Sequence, residues 1–189
     1  ILIGLVGSEM CIRDSNREPF SKTEVAKLWD VKDSNIYYTV ILMLIYTGCR
    51  IGELLDLKKE NVNLEERYFK IVASKTAAGI RTAPISEKVY PFFEYWYNLN
   101  DCEYLLSTPE GEHFKYRNYY DSYWSPLIET LGMKHRPHDT RHTCISMLTV
   151  AGVSDKVIKK IVGHKGQGVT EVVYTHFEIE ELIDAINKI

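Results

Sequence analysis

The chain has 189 residues, 45% of them hydrophobic, and a formal net charge of -3, which favours one globular domain with a single buried core. Its longest apolar run, Ile36 to Tyr46, is too short to span a membrane, and its apolar start lacks the basic region of a secretory signal. The four cysteines form no CxxC pair, which argues against a disulfide framework or a zinc finger and favours reduced thiols in a cytoplasmic protein.

The first predicted helices follow a leader that has no clear pattern. Residues 1–15 show no periodicity that connects them to the rest of the sequence, and we expect a non-native or disordered leader. Ser21 and Glu24 then have the spacing of a capping box, which predicts the start of a short helix. A second helix is predicted from about Asn35 to Tyr46, and because it is apolar nearly all round, it should be the central buried helix.

The segment after this helix contains a turn at Gly48 and the start of another helix, which carries Arg50 and Glu53. An Arg and a Glu three residues apart often form an ion pair on a solvent-exposed helix. Here the pair lies between two apolar runs and should be at least partly buried. We therefore predict that Glu53 orients Arg50 toward an external anion.

In the next segment, apolar residues recur at about every second position, which predicts three short strands of an antiparallel sheet. The predicted strands cover residues 62–64, 68–72 and 81–85. The connection between the last two strands carries Lys75, although a lysine in a loop usually serves only solubility. Pro84 predicts that the third strand lies at an edge of the sheet.

Two helices rich in aromatic residues follow the predicted sheet, at residues 89–97 and 114–131. The second helix carries a stripe of aromatic side chains: Tyr116, Tyr119, Tyr120, Tyr123 and Trp124. Such a stripe is more often a core and helix-packing surface than a platform that stacks on bases. We therefore predict that it packs inside the protein.

The charge is distributed unevenly along the second half of the chain. Between Lys115 and Lys165 there are nine basic and four acidic residues, whereas five acidic residues and one lysine follow from Glu171 onward. The basic segment could track a phosphate backbone even though the whole chain is slightly acidic.

Within the basic segment, His138 and Arg141 lie at a predicted helix start, with Asp139 or Thr140 as its cap. Free N–H groups and the helix dipole favour an anion at such a position. An arginine in a first helical turn is more often a structural or solvated cation, so other segments must support this site. His142 lies one turn after His138, which could form a metal pair, but no third ligand accompanies it at metal-site spacing.

The C-terminal part of the chain carries two more candidate residues. Gly163 and Gly166 flank His164 in a predicted turn, which favours a side chain that points outward. Tyr174 follows ten residues after this histidine in a segment of weak pattern. Apolar residues from Ile179 to Ile189 have the spacing of an amphipathic helix, whose apolar face must dock on another surface.

Together these motifs resemble the catalytic domain of the tyrosine recombinases, the integrase family of phages and conjugative transposons. The resemblance extends from Phe20 to the C-terminus and rests on five motifs in the family's order. The motifs are Thr47 to Leu54, Lys75 before Arg81 to Ile85, His138 to Arg141, Val162 to His164, and Val173 to His176. It implies an α+β, mainly α-helical fold with a small three-stranded antiparallel sheet. Residues 16–189 would form the catalytic domain, without the family's N-terminal core-binding domain.

The resemblance also implies the reaction, which is site-specific DNA recombination through a 3'-phosphotyrosine intermediate, without a metal or a cofactor. The implied catalytic residues are Arg50, Lys75, His138, Arg141, His164 and the nucleophile Tyr174, with Glu53 and His142 in supporting positions. The two arginines would clamp the non-bridging oxygens of the phosphate. Lys75 would protonate the leaving 5'-oxygen, and His138 would exchange a proton with the tyrosine.

The implied partners are double-stranded DNA, further copies of the chain, and accessory DNA-bending or excisionase proteins. In the family the C-terminal helix often joins protomers, so Ile179 to Ile189 would pack on a neighbour in a tetramer, or fold back on its own chain without DNA. The protein would act in the cytoplasm of a bacterium, encoded by the host or by a phage, and not at a membrane.

Four other functions remain open from the sequence. A chromosome-dimer resolvase of the Xer type would use the same residues, and a type IB topoisomerase would share the chemistry. A DNA-binding module with a vestigial site belongs to a different class. A zinc enzyme that uses His138, His142 and His164 is the fourth.

Overall fold

The computed structural model describes residues 18–73, 79–164 and 178–189. The helices are α1 Lys22–Val31, α2 Tyr37–Thr47, α3 Ile51–Leu55, α4 Tyr90–Asn98, α5 Tyr116–Tyr119, α6 Ser125–Thr130, α7 Pro137–Val150, α8 Asp155–Val162 and α9 Ile179–Ile186. The strands are β1 Val62–Asn63, β2 Tyr68–Ile71 and β3 Arg81–Pro84. A mainly helical α+β fold with a small sheet was predicted, and these elements confirm it.

Helix α2 lies at the centre of the core, as its apolar sequence predicted. Every residue from Tyr38 to Thr47 is buried, and the helix packs against α1, α4 and α7. The apolar sequence explains this central position, because a helix with apolar residues on every side is stable only when other elements cover every side. The preceding helix begins as predicted, with Ser21 Oγ accepting a hydrogen bond from the Glu24 N–H at 3.2 Å.

The three strands form an antiparallel sheet in the order β1, β2, β3. Phe69 of β2 pairs with Ala83 of β3, and both side chains are fully buried. Pro84 lies in β3, at an edge of the described sheet, where a missing N–H does not interrupt a ladder. The predicted strands and the edge position of Pro84 are therefore confirmed.

The helix predicted at residues 114–131 is interrupted in the structure. Helix α5 is followed by a π-helical turn, Tyr120–Trp124, and then by α6. Pro126 explains the break, because it has no N–H to donate to the carbonyl four residues earlier. Tyr119 and Trp124 of the predicted packing stripe are almost fully buried, and Tyr120 and Tyr123 are partly buried. Tyr116 is 50% exposed, so the prediction is wrong for this residue.

The apolar face of α9 packs against β3 and α8 of the same chain. Its buried residues are Leu182, Ile183, Ala185 and Ile186. Just after the helix, Asn187 Oδ1 accepts a hydrogen bond of 2.9 Å from the Glu87 N–H. Of the two arrangements expected for this helix, the structure thus has the one folded back on its own chain. In the described part of the chain, no helix is long and apolar enough to cross a membrane.

Candidate active site

The site forms at the N-terminus of α7, which begins earlier than predicted. The helix starts at Pro137, so the prediction of a cap at Asp139 or Thr140 is wrong. Proline suits a first helical position because its missing N–H would have no helical partner there. Asp139 stabilises the start from inside the first turn, where its Oδ2 accepts a hydrogen bond of 2.8 Å from the Arg136 N–H.

Arg141 lies one turn into α7 and is only 1% exposed. Its Nη1 donates a hydrogen bond of 2.8 Å to the Gly48 carbonyl. Its Nε and Nη2 atoms are buried and have no hydrogen-bond partner among the described residues. Burial lowers the pKa of Arg141 to about 10, and the positive charges of Arg50 and Arg81 add to the shift. A buried guanidinium with free donors is suited to bind an anion.

Gly48 brings three elements together at this site. It ends α2 with a φ of +62°, a conformation that favours glycine. A Cβ at this position would lie 2.8 Å from Val162 Cγ1 and 3.0 Å from Cys144 Sγ. Since Val162 belongs to α8 and Cys144 to α7, the absence of a side chain at Gly48 permits both helices to approach the end of α2.

Arg50 precedes α3 and is held by Glu53. The Arg50 N–H donates to Glu53 Oε2 at 3.0 Å, and Arg50 Nη1 lies 2.6 Å from Glu53 Oε1. The Arg50 side chain is 37% exposed, whereas the Glu53 side chain is 6% exposed. The predicted pair therefore exists, with its carboxylate inside the protein and its guanidinium at the surface of the site.

Glu53 also binds a second arginine, Arg81, which the sequence pattern placed in a strand without a role in the site. Arg81 Nη2 lies 3.1 Å from Glu53 Oε2, and its side chain is 2% exposed. Burial alone would raise the pKa of Glu53, but Arg81 and Arg50 outweigh burial and hold this pKa below its usual range. Side chains alternate between the two faces of a strand, and Arg81 has the same spacing as the buried residues Ala83 and Ile85. This pattern could have shown that the Arg81 side chain is buried.

Three histidines lie near the arginine cluster. His138 and His142 are half-buried on α7, and their ring centroids are 4.9 Å apart at an angle of 81°. His164 follows the end of α8 and is exposed. Desolvation, then the positive charges of Arg141 and Arg50, lower the pKa of His164 to about 4. His164 is therefore neutral at pH 7 and can donate one hydrogen bond to an anion.

His135, to which the sequence assigned no role, supports the start of α7. Its ring stacks on Phe20 with a centroid distance of 3.8 Å. Its Nε2 lies 3.3 Å from Glu24 Oε1 and its Nδ1 lies 3.5 Å from Asp139 Oδ2. His135 thus connects α1 to the carboxylate that stabilises the first turn of α7.

The structure brings together six of the eight predicted residues. These are Arg50, Glu53, His138, Arg141, His142 and His164. Arg50 and His138 line a common cavity of about 300 Å³ with Tyr116 and Arg136. Lys75 and Tyr174 lie outside the described residues. Within the described ranges, no group of three or more His, Cys, Asp and Glu residues is arranged to hold a metal ion.

Comparisons with known proteins identify the family of this chain. Residues 20–181 match the model of the phage integrase family. The chain is 28% identical over 173 residues to the tyrosine recombinase XerA of Pyrococcus horikoshii, covering 89% of this chain and 60% of that protein. It is 25% identical to a XerC-like tyrosine recombinase of Caldanaerobacter subterraneus, covering 91% of this chain and 54% of that protein. The chain thus spans little more than half the length of these curated relatives.

The fold is also similar to a solved structure of the Tn1549 transposon integrase in complex with circular intermediate DNA. The TM-score is 0.69 at 22% sequence identity, and the match covers 87% of this chain and 64% of that one. At this level of identity the similarity shows a shared fold. The predicted catalytic-domain architecture is therefore confirmed.

Proposed function

The chain belongs to the phage integrase family, and from this premise we propose that it catalyses site-specific DNA recombination, as in the integration or excision of a mobile element. Residues 16–189 form the catalytic domain. The reaction breaks and rejoins DNA strands through a 3'-phosphotyrosine intermediate. It needs no metal ion, because arginines supply the positive charge that a metal supplies in other phosphoryl-transfer sites.

The observation that carries this proposal is the state of Arg141. Burying the Arg141 guanidinium at 1% exposure near the positive charges of Arg50 and Arg81 is unfavourable. The nearby carboxylate of Glu53 is already paired with both of those arginines, so a further anion would stabilise Arg141. Arg141 has two buried donor atoms without partners among the described residues. A DNA phosphodiester offers two non-bridging oxygens, and the fork geometry of two arginines matches them.

In the proposed reaction, the hydroxyl oxygen of Tyr174 attacks the phosphorus and the bond to the 5'-oxygen breaks. Lys75 gives a proton to the leaving 5'-oxygen, and His138 accepts the proton that the tyrosine loses. Arg50 and Arg141 stabilise the charge on the pentacoordinate transition state. The 5'-hydroxyl of a partner strand then attacks the phosphotyrosine and restores the DNA backbone.

Three further residues support these groups. His164 is neutral at pH 7 and donates a hydrogen bond to the scissile phosphate. Glu53 fixes the direction of Arg50 through its ion pair of 2.6 Å. His142 packs against the ring of His138 and limits its rotation.

The partners that we propose are double-stranded DNA and three further copies of the chain, assembled on DNA through the C-terminal helix. Because the apolar face of α9 is covered by β3 and α8 in this structure, such an assembly requires α9 to exchange this packing for a neighbour's. Accessory DNA-bending or excisionase proteins set the direction of the reaction. The site of action is bacterial or phage DNA in the cytoplasm.

A second candidate function is chromosome-dimer resolution by the same chemistry. The curated relatives favour it, because they include a tyrosine recombinase XerA and a XerC-like tyrosine recombinase. The two functions differ in the DNA site and not in the catalytic residues. Identification of the preferred site therefore separates them.

A covalent-trapping experiment tests the proposed chemistry even when the target sequence is unknown. The chain is incubated, with a chelator present, with nicked duplexes whose sequence is randomised around the scissile phosphate. The short strand next to the nick diffuses away after cleavage and traps the phosphotyrosine adduct. Adducts are isolated on a denaturing gel, and their DNA is sequenced. We expect a metal-independent adduct that is lost in Tyr174→Phe and retained in Tyr95→Phe, a change on the exposed face of α4.

The outcomes separate the candidate functions. Enrichment of a single chromosomal site favours resolution, whereas enrichment of the ends of an inserted element favours integration. An adduct that persists in Tyr174→Phe would assign the nucleophile to another residue. If the wild-type chain binds the duplexes and forms no adduct, either alone or joined to an N-terminal core-binding domain, the chain is a DNA-binding module with a vestigial site.

A further inference from the structure

Arg81 is a buried arginine at the junction of β3, α3 and α8. Its Nε donates a hydrogen bond of 2.7 Å to the Ile161 carbonyl, and its Nη1 donates one of 2.9 Å to the Gly79 carbonyl. Its Nη2 lies 3.1 Å from Glu53 Oε2 and 3.7 Å from Cys49 Sγ. All three nitrogens of Arg81 have partners, whereas Nε and Nη2 of Arg141 have none among the described residues.

One contact of Arg81 leads to the exposed arginine of the site. Glu53 receives Arg81 on Oε2 and Arg50 Nη1 on Oε1. Because the carboxylate is buried, it needs a buried positive charge to remain ionised. Arg81 provides that charge, and the ionised Glu53 in turn holds Arg50, which lines a cavity together with His138.

The other two contacts are with backbone carbonyls, one of which lies close to His164 in the chain. The Ile161 carbonyl lies in the last turn of α8, three residues before His164. The Gly79 carbonyl lies in the connection between β2 and β3, four residues after Lys75 in the sequence. Arg81 therefore contacts the backbone of α8 and of the residue two positions before it in the chain.

We propose that Arg81 is a positioning residue that holds Arg50, through Glu53, and the turn before His164 in one frame around the phosphate. The inference rests on the proposed function, because it assigns a role to a further residue of that site. Arginine is required because a planar guanidinium directs donors to three partners, whereas a lysine amine at this depth reaches fewer of them.

The test uses the full chain and inorganic phosphate as the probe. Phosphate affinity is measured by following the side-chain Nε–H signals of ¹⁵N-labelled arginines, and the titration of His164 is followed by its ring carbon-bound proton signals. In Arg81→Met we expect phosphate to bind about tenfold more weakly or worse, because Arg50 loses its fixed direction. The rate of adduct formation should fall at least as much.

The conservative variant Arg81→Lys should change the titration of His164 and phosphate affinity by different amounts, which general destabilisation would not do. Arg81→Lys keeps the charge beside Glu53 and loses the bonds to Ile161 and Gly79. We therefore expect phosphate affinity within about threefold of wild type, while the pKa of His164 moves upward from about 4 because the turn is no longer fixed. This split between the two readouts distinguishes positioning from a loss of folding.

Arg67→Met is the matched control, since Arg67 forms a 2.8 Å ion pair with the exposed Glu87 beside the same sheet. It should change neither readout. If Arg81→Met does not fold, Arg81→Lys decides the question. Three results would overturn the inference. The first is a folded Arg81→Met that binds phosphate within about twofold of wild type, and the second is an Arg81→Lys with unchanged phosphate affinity and an unchanged His164 titration. The third is a wild-type chain that binds no phosphate.

The experiments distinguish a failure of the proposed recombinase activity from a failure of the inference on Arg81. Phosphate binding and the titration of His164 need neither DNA nor strand cleavage. If the wild-type chain forms no adduct, even when joined to an N-terminal core-binding domain, the recombinase activity is refuted. Weaker phosphate binding in Arg81→Met would still retain Arg81 as the residue that positions the anion site.

Discussion

The Gly48 carbonyl accepts a hydrogen bond of 2.8 Å from Nη1 of Arg141. This bond joins the turn that precedes Arg50 to the first turns of α7, although the two bonded residues lie 93 positions apart in the chain. The same glycine permits the close approach of α7 and α8. The relative placement of the two arginines therefore depends on the backbone of this turn, and substitutions there should affect stability and anion binding together.

Gly48→Ala should destabilise the protein by roughly 2 to 4 kcal/mol. The left-handed backbone costs an alanine about 1 to 2 kcal/mol, and the clash with Val162 and Cys144 adds a similar amount. Urea unfolding measures the change. Gly152→Ala is the matched control, because Gly152 has a φ of +76° and a Cβ placed there would meet no atom within 4 Å. Equal losses in the two variants would show that the tight packing at Gly48 contributes nothing.

Glu53→Gln should lower the free energy of unfolding by about 2 to 3 kcal/mol at neutral pH, because Arg81 would remain buried without a counter-charge. The difference from wild type should depend on pH in a defined direction. The pKa of Glu53 is lowered in the folded state. Its charge therefore stabilises the protein above the ordinary carboxyl pKa of 4.5, and this contribution is lost as the pH falls through the folded pKa. Urea unfolding at pH 7 and at pH 3.5 measures the difference, and an equal deficit at both would contradict this account.

Some elements were predictable because their signals are local. The apolar run of α2 and the capping pair of Ser21 and Glu24 are encoded within a few residues, and both were found where expected. Pro137 also carried a local signal for the start of α7, although Asp139 and Thr140 were the predicted caps. Local patterns thus located most of the elements, whereas the set of candidate catalytic residues followed from the family resemblance.

The parts that were not predicted depend on contacts between distant segments. Arg81 and Glu53 are 28 positions apart, and their pairing follows from how β3 packs beside α3. His135 meets Glu24 only after α1 has folded against the start of α7. No local pattern encodes such distances, although the alternation of β3, which Arg81 shares with Ala83, could have indicated a buried side chain.

The titration of His164 should report whether an anion occupies the site. Its folded-state pKa is about 4 and its ordinary value is 6.5. Sulfate keeps its charge across this range, and its binding should raise the pKa of His164 by offsetting Arg141 and Arg50. Proton NMR of the histidine ring measures the shift. A pKa near 6.5 without sulfate would contradict the proximity of His164 to the arginines.

The same shift makes a signed prediction for stability. The unfolded chain binds a proton at His164 near pH 6.5, whereas the folded chain binds it only near pH 4. The contribution of His164 to the free energy of unfolding should therefore rise with pH between these values. His164→Asn should flatten the pH dependence in this window, as measured by urea unfolding at several pH values. A variant that is steeper than wild type would contradict the sign.

His135→Phe should destabilise the protein by roughly 1 to 2 kcal/mol. Phenylalanine keeps the stack on Phe20 but loses the contacts with Glu24 and Asp139. Thermal unfolding measures the loss. His113→Phe is the matched control, because His113 also stacks on an aromatic ring, that of Tyr104, and pairs with an exposed carboxylate.

A surface pair of that kind contributes less than about 1 kcal/mol, so the control should be nearly neutral. A His135→Phe protein as stable as this control would mean that the two carboxylates at His135 gain nothing from it. Asp139 would then hold the start of α7 through its hydrogen bond from the Arg136 N–H alone.

Arg141→Met should abolish phosphate binding while leaving the stability of the free protein unchanged, or raising it by about 1 kcal/mol. The guanidinium is buried beside other positive charges and donates one hydrogen bond, to Gly48, among the described residues. Methionine fills similar space without a charge, which is often neutral or favourable at a buried site. Urea unfolding with and without phosphate measures both effects.

Phosphate should stabilise the wild-type chain and not the variant, because only a folded-state binder shifts the unfolding equilibrium. Arg117→Met controls for the loss of a positive charge, since Arg117 is 88% exposed and its partner is Asp121. It should retain the phosphate effect. A loss of more than about 2 kcal/mol in Arg141→Met would indicate that the guanidinium has strong partners in the free protein. In that case Arg141 would be a structural residue, and its burial would no longer argue for a bound phosphodiester.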